Sequence, residues 1–338
     1  DGSEFTAVAP DGLVINAGKI DDAIQTFRIE NDALVLKQTI EDTLENPLNG
    51  VSQIAVSQDG LIVGALSDYA KSFSVYSHTP GTDTIELIDV FTSPFTIDGA
   101  SVTAGLLSGI YIDSNSGNIY LTDRLEERIY HFYYSGTEVV PIDYYSIVTD
   151  PAIDSMRRIA PSPDGSRIAI PCYGSSSLLI MSIDPVTGVP SVETMLSYLA
   201  TGTMGLGTVN FATFLDDTTI LTTSNEFLCE FIYGPPAAGE PDSWYQTQRI
   251  KEDVDVTVMS GPKYISFNGD KSALYVSDSI TNGLTTFRRD TDTGLLYYNS
   301  FLSFEPGDPA MSVMTPDGLY LIAPSAVTDQ LYLLEITQ

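Results

Sequence analysis

Ile159-Ala160-Pro161-Ser162-Pro163-Asp164-Gly165-Ser166-Arg167-Ile168-Ala169-Ile170 is the stretch on which the fold turns. A short apolar run meets a Ser-Pro-Asp-Gly turn and a second apolar run follows, which predicts two antiparallel strands joined by a tight hairpin. Leu178-Leu179-Ile180-Met181-Ser182-Ile183-Asp184 supplies a third strand after a polar loop. The same order recurs around Pro10-Asp11-Gly12, Gln58-Asp59-Gly60, Asn115-Ser116-Gly117, Asp216-Asp217, Asn268-Gly269-Asp270 and Pro316-Asp317-Gly318. Seven copies spaced about 45 to 55 residues apart are the mark of a radial repeat. The run after each third strand, such as Leu34-Val35-Leu36-Lys37-Gln38 or Leu295-Leu296-Tyr297-Tyr298, reads as an outer fourth strand. The expectation is an all-β, seven-bladed β-propeller of four-stranded antiparallel blades. A lone blade leaves its apolar faces in water, so stacking on neighbours makes the array stable. The seventh copy stops after its third strand, Leu331-Tyr332-Leu333-Leu334-Glu335, so that blade is expected to be incomplete or completed by residues preceding those given.

Composition narrows the function classes. Hydrophobic residues make up 43% of the 338 residues and charged ones 18%, enough for an extensive core and too little charge for disorder. Forty-five acidic against 15 basic residues give a net charge of −30, which repels nucleic acid and anionic lipid. No run has the length of a membrane span. Gly2-Ser3-Glu4-Phe5 is what two adjacent cloning sites encode, so residues 1–5 read as a vector remnant after a removed leader, and 6–338 as one propeller domain. A removed leader suits an extracellular or periplasmic protein, and the lack of any Asn-X-Ser/Thr sequence fits a prokaryotic source or an unglycosylated surface. Cys172 and Cys229 fall in neighbouring copies and read as buried thiols rather than a disulfide.

Several motifs have both a chemical and a structural reading. Asp113-Ser114-Asn115-Ser116-Gly117 and Asp290-Thr291-Asp292-Thr293-Gly294 alternate oxygen ligands in the manner of a Ca2+ loop, without the downstream Glu such a loop needs. Asp, Asn and Gly are also what hairpin turns require, and turns are the preferred reading. A cation in a central channel, with Glu226 and Asp278 as carboxylate donors and Asn210 as an amide donor, makes Ca2+ the candidate ion. His78 and His131 sit on third strands and read as packing residues. The 19 tyrosines, several between Tyr130 and Tyr145, could stack on sugar rings or a protein partner, but their alternation favours packing between blades.

The stretch from Ser162 to Ser176, with Ser182-Ile183-Asp184-Pro185-Val186-Thr187-Gly188, resembles the lactonase-type propellers, the group that includes 6-phosphogluconolactonase and carboxymuconate cyclases. Those proteins read SPDG and then DLG in the corresponding blade, and GxGPRHxxF and NEL in the next. The resemblance implies a lactone-opening site built on an Arg, a His and a Glu. Gly205-Leu206-Gly207-Thr208-Val209-Asn210-Phe211 places Val209 at the Arg position and Asn210 at the His position, while Ser224-Asn225-Glu226-Phe227 keeps the Glu as Glu226. Met156-Arg157-Arg158 and Cys172-Tyr173-Gly174 depart from the pattern as well. Opening a lactone requires proton management and a cation for the oxyanion, neither of which valine supplies.

The sequence therefore points to a lactonase-like propeller that binds a small molecule, carbohydrate or protein, as a monomer or a module of a larger exported protein. The alternative is a lactone hydrolase or isomerase using Glu226 with Arg157 or Arg158, or with a bound divalent cation. Lys263, in Gly261-Pro262-Lys263-Tyr264 at the start of an inner strand, joins Asn210 and Asp278 as a candidate ligand-binding residue.

Overall fold

The computed structural model describes residues 3–18, 22–147, 153–198, 205–251, 259–304, 307, 309–325, 327–328 and 330–336. Its elements are all β-strands. The first sheet holds β1 (Ser3–Val8), β2 (Val14–Gly18), β3 (Ala23–Glu30) and β4 (Ala33–Glu41). The second holds β5 (Val51–Val56), β6 (Ile62–Ser67), β7 (Ser72–His78) and β8 (Ile85–Thr92). A small hairpin, β9 (Phe95–Ile97) and β10 (Ala100–Val102), precedes the third sheet of β11 (Leu107–Ile112), β12 (Asn118–Asp123), β13 (Arg128–Tyr134) and β14 (Val139–Ser146). The fourth is β15 (Ala160–Pro161), β16 (Arg167–Cys172), β17 (Ser177–Ile183) and β18 (Pro190–Ser197). The fifth is β19 (Phe211–Asp216), β20 (Thr219–Thr223), β21 (Phe227–Gly234) and β22 (Ser243–Lys251). The sixth is β23 (Pro262–Phe267), β24 (Ala273–Asp278), β25 (Gly283–Arg289) and β26 (Leu296–Ser303). The seventh has three strands, β27 (Val313–Met314), β28 (Tyr320–Ser325) and β29 (Gln330–Glu335). The chain is thus a seven-bladed β-propeller whose last blade has three strands among the described residues.

The turn motif that recurs in the sequence closes the first hairpin of the blades by one device. Ser57, Ser162 and Thr315 each donate a side-chain hydrogen bond of 2.6 Å to the Asp two residues on. The following glycine, at φ 77° in Gly60, 72° in Gly165 and 71° in Gly318, donates its N–H back to the carbonyl of the same Ser or Thr. That left-handed backbone is why glycine recurs at this position.

The blades fall into two compact units, Asp1–Ile147 with Ala310–Gln338, and Val148–Pro309. In the first unit, Ile15, Ile24, Val63 and Tyr76 close one core between the first and second sheets. Phe73, Ile110, Leu121 and Phe132 close another between the second and third. The seventh sheet lies against the first, where the Tyr320 hydroxyl donates to Asp32. Phe5, within the segment read as a vector remnant, pairs with Ala17 in β1 and is buried. In the second unit, Leu178, Ile180, Phe214 and Phe231 fill the space between the fourth and fifth sheets, and Phe211, Leu228, Val276 and Phe287 that between the fifth and sixth. Each core is shared by two blades, so apolar faces leave water only by leaning on a neighbour.

The outer strands follow one register. At the last or next-to-last residue of the third strand, Ile29, His78, Tyr134, Ile183, Tyr233 and Arg289 stand opposite Leu34, Ile85, Val139, Pro190, Trp244 and Leu296. Six residues further along the fourth strand, Ile40, Phe91, Tyr145, Leu196, Ile250 and Leu302 again present an apolar or aromatic side chain. Each fourth strand carries a register shift between those two positions.

Candidate functional site

Arg157, Arg158, Asn210, Glu226, Lys263 and Asp278 all lie in the unit Val148–Pro309, so the site can be built from three blades. Segments 156–158, 210–211 and 263–264 occupy the starts of their inner strands. Met156 bridges to Cys172, the Arg157 N–H donates to the Pro171 carbonyl at 2.8 Å, and the Asn210 N–H donates to the Thr223 carbonyl at 2.8 Å. The Thr223 hydroxyl donates to the Lys263 carbonyl at 2.7 Å, tying the fifth blade to the sixth.

The side chains at these positions converge on an aromatic centre. Arg158, 9% exposed, holds its guanidinium 4.8 Å from the ring centroid of Tyr264. Phe211 meets the same ring edge-on at 5.7 Å and 83°. One residue at or just before the inner strand of each of three blades therefore joins a cation–π and edge-to-face stack, worth about 1–2 kcal/mol per contact where water is excluded. Arg157 covers the Tyr173 ring at 4.7 Å within its own blade. The Asn210 amide donates to the Asn225 side chain at 3.2 Å, and Lys263 is half-buried beside Tyr264.

The acids have other partners. Glu226, whose side chain is 59% exposed, has Lys251 of β22, the outermost strand of its blade, as its ion-pair partner at 3.9 Å. Asp278 is fully buried at the end of β24 and accepts a hydrogen bond from the Thr285 hydroxyl. In the third blade the same strand-end position holds Asp123, also fully buried, which accepts the N–H groups of Gly105, Leu106, Leu125 and Glu126 at 2.6–3.1 Å. The parallel gives Asp278 the look of a carboxylate that fastens the end of its blade. Asn210, Glu226 and Asp278 thus have different partners, and among the described residues no group of three or more His, Cys, Asp or Glu is arranged to hold a metal ion.

The two Ca2+-like loops close as turns. Asp113 accepts the Asn115 N–H at 3.0 Å and the Ser116 hydroxyl, while the Gly117 N–H returns to the Asp113 carbonyl at 2.8 Å. Asp290 accepts the N–H groups of Asp292 and Thr293 at 3.0 and 2.8 Å and the Thr293 hydroxyl at 2.9 Å. Asp184, in the Asp-Pro-Val-Thr-Gly segment, repeats this pattern with Val186 and Thr187. Local N–H groups use the oxygens that a cation would need. Both cysteines are buried thiols outside any disulfide, and burial pushes the Cys229 thiol up to about 12, which leaves it an inert packing group. His78 and His131 are buried as well, His131 between Asn118 and the stacked ring of Tyr120. Burial holds His131 below its usual range.

Tyr264, Phe211 and Tyr173 are the residues that sequence reading missed. For Tyr264 and Phe211 the signal was adjacency, since each immediately follows a residue singled out for its charge or amide (Lys263, Asn210) at an inner-strand start, whereas Tyr173 follows Cys172 and carried no such signal.

No protein-family model matches the chain, and no curated protein does. Solved structures match over nearly its whole length. A 6-phosphogluconolactonase candidate from Bacteroides fragilis is 15% identical with a TM-score of 0.73, covering 100% of this chain and 90% of that one. A second, from Bacteroides uniformis, is 15% identical with a TM-score of 0.69, covering 89% and 85%. The chain shares its seven-bladed propeller fold with these proteins. Hydrazine synthase from Kuenenia stuttgartiensis matches equally well, at 14% identity and a TM-score of 0.71 over 99% of this chain and 96% of that one. Such a likeness concerns architecture, and a propeller supports many unrelated activities.

Proposed function

We propose that the chain is a ligand-binding β-propeller module of an exported acidic protein, built on the lactonase-like fold but without lactone-opening chemistry. One observation carries the reading: the buried Arg158 lies against Tyr264 and Phe211, while the only matched acid of the lactonase pattern, Glu226, is turned outward to Lys251. A general acid or base must stand within hydrogen-bond reach of the proton it moves, and a cation must stand where the oxyanion forms. Arg158 and Glu226 keep other company. A planar cation on an aromatic ring, flanked by Asn210, Asn225 and Lys263, instead suits recognition of a small polar ligand with an apolar face, such as a carbohydrate or sugar acid.

A thermal-shift screen of sugars, sugar acids and small cyclic esters tests this directly. A binder should raise the melting temperature of the wild type in a concentration-dependent way, as any ligand selective for the native state does. Arg158→Lys, which keeps the charge but loses the planar stack, should weaken that shift. Ligand shifts insensitive to both Arg158→Lys and Tyr264→Phe would remove this cluster from the account.

A further inference from the structure

We infer that the loop ends of the first three blades form a docking surface for a basic, amphipathic segment of a partner protein. The loop between the second and third strands has one build in the second, third, fourth and sixth blades. It is four residues long, and its last residue takes a left-handed φ, 50° in Lys71, 52° in Glu127, 52° in Ser176 and 53° in Asn282. A shared backbone aims the second residue of each loop the same way with respect to its own blade. In three of the four that residue is large and apolar: Tyr69, Leu125 and Ile280, 70%, 66% and 68% exposed. Turn chemistry does not ask for it, since tight turns favour Gly, Pro, Asn, Asp and Ser, and the fourth blade closes the same loop with Gly174 at this position. Core packing does not ask for it either, because most of each side chain is in water. One exposed apolar residue needs no explanation, whereas its repetition at one position does.

The first unit holds Tyr69 and Leu125 and adds Leu44. Leu44 stands fully exposed on a turn in which the Thr43 N–H donates to the Asn46 carbonyl at 3.1 Å, and the buried Asn46 in turn accepts the Ser74 and Tyr76 hydroxyls at 3.0 Å. Tyr69 lies on Gly50 and Leu125 on Gly105, where a Cβ would collide with them. Hydrogen bonds tie these loops together: the Asp68 and Ala70 N–H groups donate to the Gly50 and Asn49 carbonyls, Ser93 to the Lys71 carbonyl, Ala104 to the Ser93 hydroxyl and Arg124 to the Leu106 carbonyl, all at 2.8–3.1 Å. The apolar groups are therefore held in place before a partner arrives, which lowers the entropy cost of docking. Charge selects the occupant. Glu41, Asp42, Glu45 and Glu126 are exposed in the same loops, against the exposed Lys71 and the half-buried Arg124. Apolar anchors in an acidic setting fit a segment that carries apolar and Lys or Arg side chains, and the net charge of −30 opposes a second copy. This surface belongs to the unit 1–147 with 310–338 and does not depend on the reading of the Arg158 cluster.

The probe is a fluorescein-labelled synthetic peptide of leucine and lysine at helical spacing, titrated by anisotropy at about 0.15 M NaCl, where long-range attraction is screened. Saturable binding is expected. Combining Leu44→Ser, Tyr69→Ser and Leu125→Ser leaves the charge of the protein unchanged and should weaken binding about tenfold or more. Val186→Ser, which removes an equally exposed valine from the turn between β17 and β18, should leave it unchanged. Leu44→Ser alone has no burial to lose and should weaken binding about threefold, which keeps the test valid if the triple variant folds poorly. No saturable binding, or equal binding by wild type and the triple variant, would overturn the proposal, the second because charge alone would then account for the attraction. So would a stable wild-type dimer that the triple variant dissociates, since the occupant would then be a second copy.

Discussion

Asp11 shows what a single carboxylate contributes. It accepts hydrogen bonds from the Arg28 guanidinium at 2.8 Å and the Gly81 and Leu13 N–H groups at 2.7 and 3.2 Å, and His78 Nε2 stands 3.2 Å away. Burial alone would raise its pKa, but these bonds outweigh it and hold the carboxyl well below the usual carboxylate range. A group depressed in the folded state contributes stability that is present above its unfolded pKa, about 3.9, and lost as pH falls through the folded value. Asp11→Asn should therefore cost about 1–2 kcal/mol at pH 7, with the gap to wild type narrowing in denaturant titrations at acid pH. Glu230 is the opposite case. It is 2% exposed, one oxygen accepts the Thr247 hydroxyl at 2.7 Å, and the other has no hydrogen-bond partner. Burial pushes its pKa up, so its favourable neutral form is fully present at acid pH and stability is lost as pH rises through the folded value. Glu230→Gln should melt higher than wild type at pH 8 and no higher at pH 4. A lower melting point at pH 8 would mean the charge is satisfied.

At the scale of the element, the hairpin turn is the unit the sequence wrote most clearly. Gly60 sits at φ 77°, and a Cβ there would come within 2.8 Å of Pro10 in the adjoining blade. Gly60→Ala should therefore destabilise by at least about 1–2 kcal/mol, read as a lowered midpoint with unchanged slope in urea. Strands and turns were legible because Pro-Asp-Gly and apolar alternation act locally. The candidate site was less so. Arg158, Asn210 and Lys263 could be placed at inner-strand starts by counting residues, but the partners of Arg158 and Lys263, Tyr264 and Thr223, are set by how blades pack, which no local pattern encodes. Glu226 was legible as a motif match and not as a partner of Lys251, which lies on the far strand of the same blade. The three described strands of the seventh blade were legible in advance, whereas the shared apolar positions of the fourth strands in the other six blades emerged only from the register.

For the molecule as a whole, charge is the dominant solution property. A net charge of −30 repels itself, and salt screens that repulsion, so the melting temperature should rise between about 0.05 and about 0.5 M NaCl. A fall would mean that ion pairs such as Arg28 with Asp11 and Asp83 outweigh the general repulsion. The fold leaves catalysis and binding equally open, and the choice between them rests on where Glu226 and Arg158 point. The most direct test is a pH-stat assay of lactone opening by the purified chain, run with gluconolactone and simple five-membered lactones beside Glu226→Gln. The account predicts rates no faster than the uncatalysed reaction for both proteins; turnover by the wild type that Glu226→Gln abolishes would contradict it.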